Sequence, residues 1–317
     1  MARSTDPILC FDLGGTKLMA ALVSHQGRVI THVAKKIDQS AGWEGLLEDF
    51  RELAHMLPSQ KFKQVSVASA GPLDSQRGVL LDPTNFFTAH KSWGVVPLVA
   101  QLKRIFKKPV YLENDAAAAV LGEARRGGLG RSRSRNIVVM TLGTGVGIGV
   151  IANGQLVRAG RGLHPEASHI PINNTDKAYP CGCGAYGCIE AYVAGSHFAK
   201  RMSAELGHPV TGEFCRQLAE DGDPRMLEAF HEYGQHLAMA IRSMVVTFAP
   251  EVVVLSGGFT AGSAKYFLPS TEKLLPKLLV RYREGIDLLP KVQVSKLGEM
   301  AGVVGAAFVA LEKKKGR

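Results

Sequence analysis

The chain has 317 residues, of which 46% are hydrophobic, 21% charged and 7% aromatic. Its length exceeds the usual size of one hydrophobic core, so we expect two domains. No apolar run approaches the roughly 18 residues of a membrane-spanning helix, and the N-terminus lacks the apolar core of a signal peptide. We therefore expect a cytoplasmic protein with no membrane partner and with reduced cysteines.

The formal net charge of +10 raises the question of a nucleic-acid partner. The densest basic block, RRGGLGRSRSR at 125–135, is rich in glycine and lies between a predicted helix and a predicted strand. No aromatic residues interleave with it, and no basic recognition helix is present. The sequence therefore predicts a solvated loop and no nucleic-acid binding.

The first part of the chain predicts a β-meander followed by alternating helices and strands. Short apolar runs bounded by glycine and polar turns predict strands at 8–12, 18–23, 29–34, 65–69 and 110–112. Apolar residues at helical spacing predict helices at 43–57, 95–106 and 116–125. Pro97 is expected inside the first turn of the second of these helices.

The pattern of strand, glycine turn with threonine, strand, polar turn and strand occurs twice. The first glycine turn is DLGGTK at 12–17, and the second is TLGTGVGIG at 141–149. Such a duplication predicts two halves with related architecture. The remainder predicts helices at 191–206, 211–219, 224–248 and 302–313 and strands at 136–141, 150–152, 155–157, 251–255 and 292–295.

Both glycine turns expose backbone N–H groups to phosphate, because no Cβ blocks the approach. Neither turn is a Walker A motif, and Ile148 occupies the position where a Rossmann motif needs its third glycine. A further pair, Gly257 and Gly258, follows the predicted strand at 251–255. Together these features favour a nucleotide-binding cleft between the halves, with Asp12 holding Mg²⁺ on the phosphates.

Three of the five cysteines, Cys181, Cys183 and Cys188, fall within eight residues, and His169 lies twelve positions before the first of them. Three thiolates and an imidazole form a natural tetrahedral Zn²⁺ set. The glycines between these cysteines allow a short loop to bend around a metal. Carboxylates at Glu166 and Glu190 lie on either side, which suggests that the metal shapes a pocket and performs no chemistry. A zinc ribbon is not favoured, because it usually has two C-x-x-C pairs.

Asp115 has two interpretations. It follows a predicted strand and precedes a predicted helix, where backbone donors favour an ionised carboxylate. It is either a catalytic group or simply the N-cap of that helix.

Taken together, the motifs resemble those of the ROK family of repressors, open reading frames and sugar kinases. The motifs are DLGGTK at 12–17, AGPLD at 70–74, END at 113–115, TLGTGVGIG at 141–149, E-x-x-H at 166–169, CGCGAYGCIE at 181–190 and SGG at 256–258. They span essentially the whole chain, and the cysteine signature is highly specific.

The resemblance implies the two-domain, actin-like or hexokinase-like α/β fold of ribonuclease H type, with ATP and sugar in the interdomain cleft. The implied domains are 1–114 with 298–317, and 115–297 carrying the zinc site. Gly298 and Gly302 would be hinge positions for closure of the cleft. A homodimer is implied by the resemblance alone.

The implied activity is ATP-dependent phosphorylation of a hexose, usually at its 6-OH, with Asp115 as the general base. The sugar hydroxyls would be bound by Asn85, Asn114, Glu166, His169 and Glu190. The nucleotide and its Mg²⁺ would be bound by Asp12, Gly14, Gly15, Thr16, Lys17, Thr144, Gly145, Gly257 and Gly258. A structural Zn²⁺ would be bound by His169, Cys181, Cys183 and Cys188.

The acceptor sugar stays open. Ala117 and Ser168 depart from residues that are common in the family, and His164-Pro165-Glu166 is similar to some fructokinase-type members. Glucose is favoured, with N-acetylglucosamine, N-acetylmannosamine, mannose and fructose as alternatives, and with polyphosphate as an alternative donor. A sugar-responsive transcriptional regulator would need a helix-turn-helix domain, but seven residues precede the first predicted strand, so we expect an enzyme.

Overall fold

The protein is described by a computed structural model that covers residues 6–58, 61–82, 87–88, 91–129 and 135–315. The chain forms two units. Unit 1 comprises Met1–Leu129, Leu156–Pro165 and Met300–Arg317, and unit 2 comprises Gly130–Gln155 and Glu166–Glu299.

A five-stranded sheet forms the centre of unit 1. Its strands are β1 (Ile8–Leu13), β2 (Lys17–Val23), β3 (Val29–Lys36), β4 (Val65–Ser69) and β10 (Val110–Asn114), in the order β10-β4-β1-β2-β3. The strands β10, β4 and β1 run parallel, whereas β2 and β3 continue the sheet in antiparallel fashion. The carboxyl ends of the three parallel strands therefore meet at one edge.

Helices cover both faces of this sheet. They are α1 (Gly42–Met56), α2 (Leu98–Phe106), α3 (Asp115–Arg126) and α9 (Ala301–Lys315). Alternate residues of β1 face opposite sides, so Phe11 packs with Phe50 and Leu102, whereas Cys10 packs in the cluster that contains Ala118 and Val303. Two small sheets complete the unit, formed by β5 (Leu73–Asp74), β6 (Val79–Leu81) and β9 (Val95–Val96), and by β7 (Phe87–Thr88) and β8 (Lys91–Ser92).

The close packing of α3 against α9 explains why α3 belongs to unit 1. A Cβ added at Gly122 would lie 2.6 Å from the carbonyl oxygen of Ala301, and one at Gly305 would lie 1.7 Å from that of Ala118. Only glycine permits this approach. The predicted boundary at residue 114 differs from the observed unit for this reason, and the segment 156–165 is a second difference.

Unit 2 repeats the sheet of unit 1 strand for strand. Its strands are β11 (Ile137–Leu142), β12 (Val146–Ala152), β13 (Gln155–Leu156), β14 (Val252–Ser256) and β15 (Lys291–Val294), in the order β13-β12-β11-β14-β15. Its helices are α4 (Ile189–Val193), α5 (Gly195–Leu206), α6 (Gly212–Glu220), α7 (Pro224–Phe248) and α8 (Gly258–Leu278). The predicted duplication is confirmed.

Two predicted helices begin or continue differently. The helix predicted at 95–106 starts at Leu98, because Val95–Val96 pairs with β6 and Pro97 is the N-cap. The helix predicted at 191–206 is interrupted at Ala194, which has extended backbone angles.

In the part of the chain that the structure describes, no helix has both the length and the apolar character needed to cross a membrane.

Candidate functional site

The strand ends of unit 1 bring predicted site residues to one edge of the sheet. Asp12 pairs with Ala68 of β4, and Ala68 pairs on its other side with Glu113 of β10. Asp12 and Glu113 are thus at the same level with one strand between them, about 10 Å apart at the backbone. Asn114 and Asp115 follow directly.

The N-cap of α3 is Asn114, and Asp115 is the first residue of the helix. Asn114 Oδ1 accepts hydrogen bonds from the backbone N–H groups of Ala116 at 2.9 Å and Ala117 at 3.1 Å. The amide nitrogen of Asn114 takes no part in this cap. The capping interpretation therefore applies to Asn114, which leaves the carboxylate of Asp115 for another role.

Burial raises the pKa of the Asp115 carboxyl above its ordinary value. Hydrogen bonds from the backbone of Ala116 and from the Asn114 side chain oppose this effect but do not cancel it. A carboxylate with a raised pKa is a stronger base, provided that it stays ionised at the working pH.

The first glycine turn is held from two directions. The N–H of Gly14 donates to the carbonyl of Lys17 at 3.0 Å, and Gln39 Nε2 donates to the carbonyl of Gly15 at 2.6 Å. Beside it, a Cβ at Gly302 would lie 2.2 Å from Oδ2 of Asp12. Glycine at 302 therefore lets the Asp12 carboxylate approach the start of α9, a reason that the sequence does not reveal.

The second glycine turn lies on a cavity of about 830 Å³ within unit 2. Thr144 and Gly258, two of the residues predicted to bind nucleotide, line this cavity. Gly257 sits behind it with φ of 94°, and a Cβ there would lie 2.3 Å from the carbonyl oxygen of Leu142. The cavity therefore joins two of the three glycine motifs of the sequence.

The opposite wall of the cavity was not foreseen from the sequence. It comes from α5 and α6, with Ser196, Lys200, Thr211, Glu213 and Arg216. Ser196 donates to the carbonyl of Thr144, which ties this wall to the glycine turn. The pairs Gly195-Ser196 and Thr211-Gly212, each at the start of a helix, were the available signal.

The four predicted metal ligands converge. One donor atom from each of His169, Cys181, Cys183 and Cys188 lies within 4.8 Å of the others. Cys181 Sγ is 3.5 Å from His169 Nδ1, and the sulfurs of Cys183 and Cys188 are 3.7 Å apart. A tetrahedral Zn²⁺ with normal bond lengths separates its donors by about 3.5–3.8 Å, so the residues fit this ion.

The surroundings of the three thiols shift their pKa values in different directions. Burial raises the pKa of Cys181 to about 12 and raises that of Cys188. A backbone N–H donor from Ala185 lowers the pKa of Cys183 instead. Buried thiols of this kind become thiolates only when a cation compensates their charge.

Residues 169–190, which we call the cysteine loop, are shaped by two of their three glycines. Gly184 and Gly187 have φ of 89° and 80°. A Cβ at Gly187 would lie 1.7 Å from the carbonyl oxygen of Asn173, whereas Gly182 has open space around it. The bend that the sequence predicted therefore depends on Gly184 and Gly187.

Glu190 links the cysteine loop to the second glycine turn. Its Oε1 lies 3.7 Å from Cys181 Sγ, and its Oε2 accepts a hydrogen bond from the N–H of Val146 at 3.0 Å. A Cβ at Gly145 would lie 2.8 Å from the same Oε2. Glu190 thus lies between the metal cluster and the turn, and Gly145 makes room for it.

A model of the ROK family matches residues 8–313. The chain belongs to the ROK family. The chain is 30% identical over 320 residues to a glucokinase of Thermotoga maritima, covering 95% of this chain and 96% of that protein. It is 29% identical to an N-acetyl-D-glucosamine kinase of Yersinia pseudotuberculosis, covering 96% of this chain and 99% of that protein.

A solved ROK family glucokinase from Streptomyces griseus, in complex with glucose and AMPPNP, has a TM-score of 0.79 to this chain. It is 26% identical and covers 96% of this chain and 99% of its own. The predicted family and the predicted two-domain actin-like α/β fold are confirmed.

The structure also places Glu166 and the two positions that depart from the family pattern, Ala117 and Ser168. Glu166 is exposed and precedes the 3₁₀ turn Ala167–His169, with its carbonyl accepting from the N–H of His169 at 3.1 Å. Ser168 is buried, as is Ala117, whose N–H donates to Asn114. Asn85 lies outside the described residues.

Proposed function

We propose that the protein transfers the γ-phosphoryl group of ATP to a hydroxyl of a hexose, with glucose favoured and the 6-OH as the acceptor. The observation that carries the proposal is Asp115, a half-buried carboxylate with a raised pKa at the start of α3. It shares its sheet edge with Asp12 in a chain of the ROK family. The named relatives act on glucose and on N-acetyl-D-glucosamine, which supports a sugar acceptor.

In the proposed reaction, Asp115 accepts the proton of the sugar hydroxyl as that oxygen attacks the γ-phosphorus in line. Phosphoryl transfer depends on positioning and charge neutralisation more than on covalent catalysis. The backbone N–H groups of the glycine turns would donate to the phosphates. Mg²⁺, when bound with the nucleotide, neutralises phosphate charge, and Asp12 would hold it. Lys17 and Thr16 follow in the same turn.

The adenosine would occupy the cavity of about 830 Å³, a volume suited to a drug-sized ligand. Gly258 and Phe259 at the start of α8 form one side of it, and α5 and α6 form the other. Its charged lining residues are Lys200, Glu213 and Arg216. Arg216 and Glu213 pair with each other, so the positive charge of Lys200 remains in the wall.

Four of the proposed sugar ligands are among the described residues. His169 directs Nδ1 towards Cys181, so its second ring nitrogen stays available for a hydroxyl. Asn114 uses Oδ1 as the helix cap and would donate to the sugar through its amide nitrogen. Glu166 and Glu190 supply carboxylate acceptors. A structural Zn²⁺ on the four clustered donors would fix the orientation of His169 and Glu190. Asn85 stays in the proposal as a further sugar ligand.

The experiment is a coupled ADP-release assay over a panel of glucose, mannose, fructose, N-acetylglucosamine and N-acetylmannosamine, with ATP or polyphosphate as donor. We expect turnover with ATP and at least one hexose, and loss of that turnover in Asp115→Ala. The proposal fails if no sugar is phosphorylated, or if Asp115→Ala retains full activity. A homodimer and a cytoplasmic location belong to the same proposal.

A further inference from the structure

Glu113 carries a buried charge that the reaction as proposed does not use. Its side chain is 1% exposed, although it lies next to two predicted site residues, Asn114 and Asp115. Its Oε1 accepts from Nη1 of Arg158 at 2.7 Å, and its Oε2 accepts from Nη2 of the same guanidinium at 2.5 Å. This paired geometry is specific to arginine and fixes the orientation of both groups.

The same carboxylate also holds the backbone that leads to Asp115. Glu113 Oε1 accepts from the N–H of Asn114 at 3.0 Å. Asn114 in turn caps α3 through the N–H groups of Ala116 and Ala117. A continuous series of hydrogen bonds therefore runs from Arg158 to the first turn of α3, where Asp115 is located.

Arg158 comes from a distant part of the chain. It lies in the segment Leu156–Pro165, which belongs to unit 1 although the residues before and after it belong to unit 2. The next residue of the chain after Pro165 is Glu166, one of the predicted sugar ligands. The ion pair thus attaches to β10 the same segment that leads to Glu166.

We propose that Glu113 and Arg158 are positioning residues that set the orientation of Asn114 and Asp115 and the starting point of the segment that leads to Glu166. The inference rests on the proposed function, because it assigns the pair a part in the same reaction. Neither residue needs to touch the sugar or the nucleotide.

Other charged groups near this strand end are few among the described residues. Lys313 Nζ donates to the carbonyl of Leu112 at 3.2 Å and interacts with the charges of Glu113 and Arg158. Asp12 lies two strands away at the same edge. Neither changes in the variants below, so each single variant alters the local charge by one unit and the double variant leaves it unchanged.

The test compares Glu113→Gln, Arg158→Gln and the double variant with wild type. We expect each single change to lower kcat about 10- to 100-fold, because small misplacements of reacting groups are costly. The KM for hexose should rise and the KM for ATP should stay within about two-fold, since the glycine turns are unchanged. The double variant should be no slower than Arg158→Gln, because residues acting as a pair are not additive.

The pH profile supplies a readout that a purely structural role would not move. In Arg158→Gln, the uncompensated Glu113 carboxylate should raise the pKa of Asp115, so the acidic limb of kcat/KM moves to higher pH. In Glu113→Gln, the uncompensated guanidinium should move the limb to lower pH. The double variant should return the limb close to the wild-type position. It leaves no unpaired buried charge, so it keeps the test possible if Arg158→Gln fails to fold.

Arg125→Gln is the matched control. Arg125 pairs with Glu312 at 2.8 Å in the same unit, but both side chains are about half exposed. It should retain wild-type kinetics. The inference is overturned if the Glu113 and Arg158 variants lose thermal stability yet keep the wild-type kcat and pH profile. The proposed function then still stands if Asp115→Ala is inactive, and it fails separately if Asp115→Ala is active.

Discussion

The end of β10 and the cysteine loop place functional side chains by different physical means. Residues 113–115 are fixed by the ion pair of the buried Glu113 carboxylate with Arg158, by backbone hydrogen bonds and by the first turn of a helix packed on α9. In the cysteine loop, residues 182–186 are exposed. Two isolated β-bridges join Pro171 to Cys188 and Pro180 to Tyr186. The donor atoms of His169, Cys181, Cys183 and Cys188 cluster within this loop and could hold a metal ion.

The difference follows from what each region must bury. At the strand end, a charged carboxylate is desolvated, and a positioned arginine compensates for it. Residues 182–186 of the cysteine loop are exposed, and a metal on the four clustered donors would take the place of a hydrophobic core there. We infer that the strand end performs the chemistry and that the cysteine loop forms the wall that holds the sugar.

The largest expected effect concerns Asp115. Asp115→Asn should lower kcat by about 10²–10⁴-fold, because the amide cannot accept the hydroxyl proton. For the wild type, burial raises the pKa of Asp115, so the rate should fall with decreasing pH at values above those at which an ordinary aspartate titrates. Initial rates across a pH series measure this limb.

The same raised pKa has a consequence for stability. A folded-state pKa above the unfolded value means that the ionised carboxylate destabilises the fold at neutral pH, and the cost disappears as the pH falls below the unfolded value. Asp115→Asn should therefore be at least as stable as wild type at pH 7. A lower melting temperature than wild type at that pH would contradict the account of this strand end.

The next effect concerns the metal. Cys183→Ala should lose zinc and lower the hexose affinity about 10- to 100-fold, because ligands and their neighbours become disordered together. Metal content by mass spectrometry and the melting temperature should fall together. Cys215→Ala, in α6 and outside the cluster, should keep its zinc. Wild-type sugar affinity in a zinc-free Cys183→Ala protein would show that the loop does not need the metal.

The smallest effect concerns the support behind the cysteine loop. Arg201 donates to the carbonyls of Ala191 at 2.8 Å and Tyr192 at 2.9 Å and lies 4.9 Å from the ring centroid of Tyr179. Arg201→Met should lower the free energy of unfolding by about 1–3 kcal/mol while zinc is retained. Arg225→Met, at an exposed arginine, is the control, and equal unfolding curves for both variants would remove Arg201 from the account.

Much of the fold was predictable because its signals are local. Short apolar runs and repeated glycine turns predicted the strands of both five-stranded sheets to within a few residues at each end. The helix Pro224–Phe248 was predicted with its observed bounds. Pro97 was expected inside the helix but is its N-cap. Val95 and Val96 pair with β6, so the helix begins only at Leu98. Ala194 breaks a run that has helical composition on both sides.

The site was predictable only where one motif contains several of its members. The cysteine cluster met this condition, and its four donors converge. The Glu113–Arg158 pair did not, because its partners are 45 residues apart and Arg158 lies outside the motifs, although Glu113 is the first residue of END. The same reason hid the contact of Asp12 with Gly302 and the cavity wall from α5 and α6.

The most direct test of the division of labour is a calorimetric titration of the accepted hexose into Asp115→Asn and Cys183→Ala. The account predicts that Asp115→Asn binds the sugar with near wild-type affinity although it does not turn over, whereas Cys183→Ala binds it at least about 10-fold more weakly. Weak binding by Asp115→Asn together with wild-type binding by Cys183→Ala would contradict it.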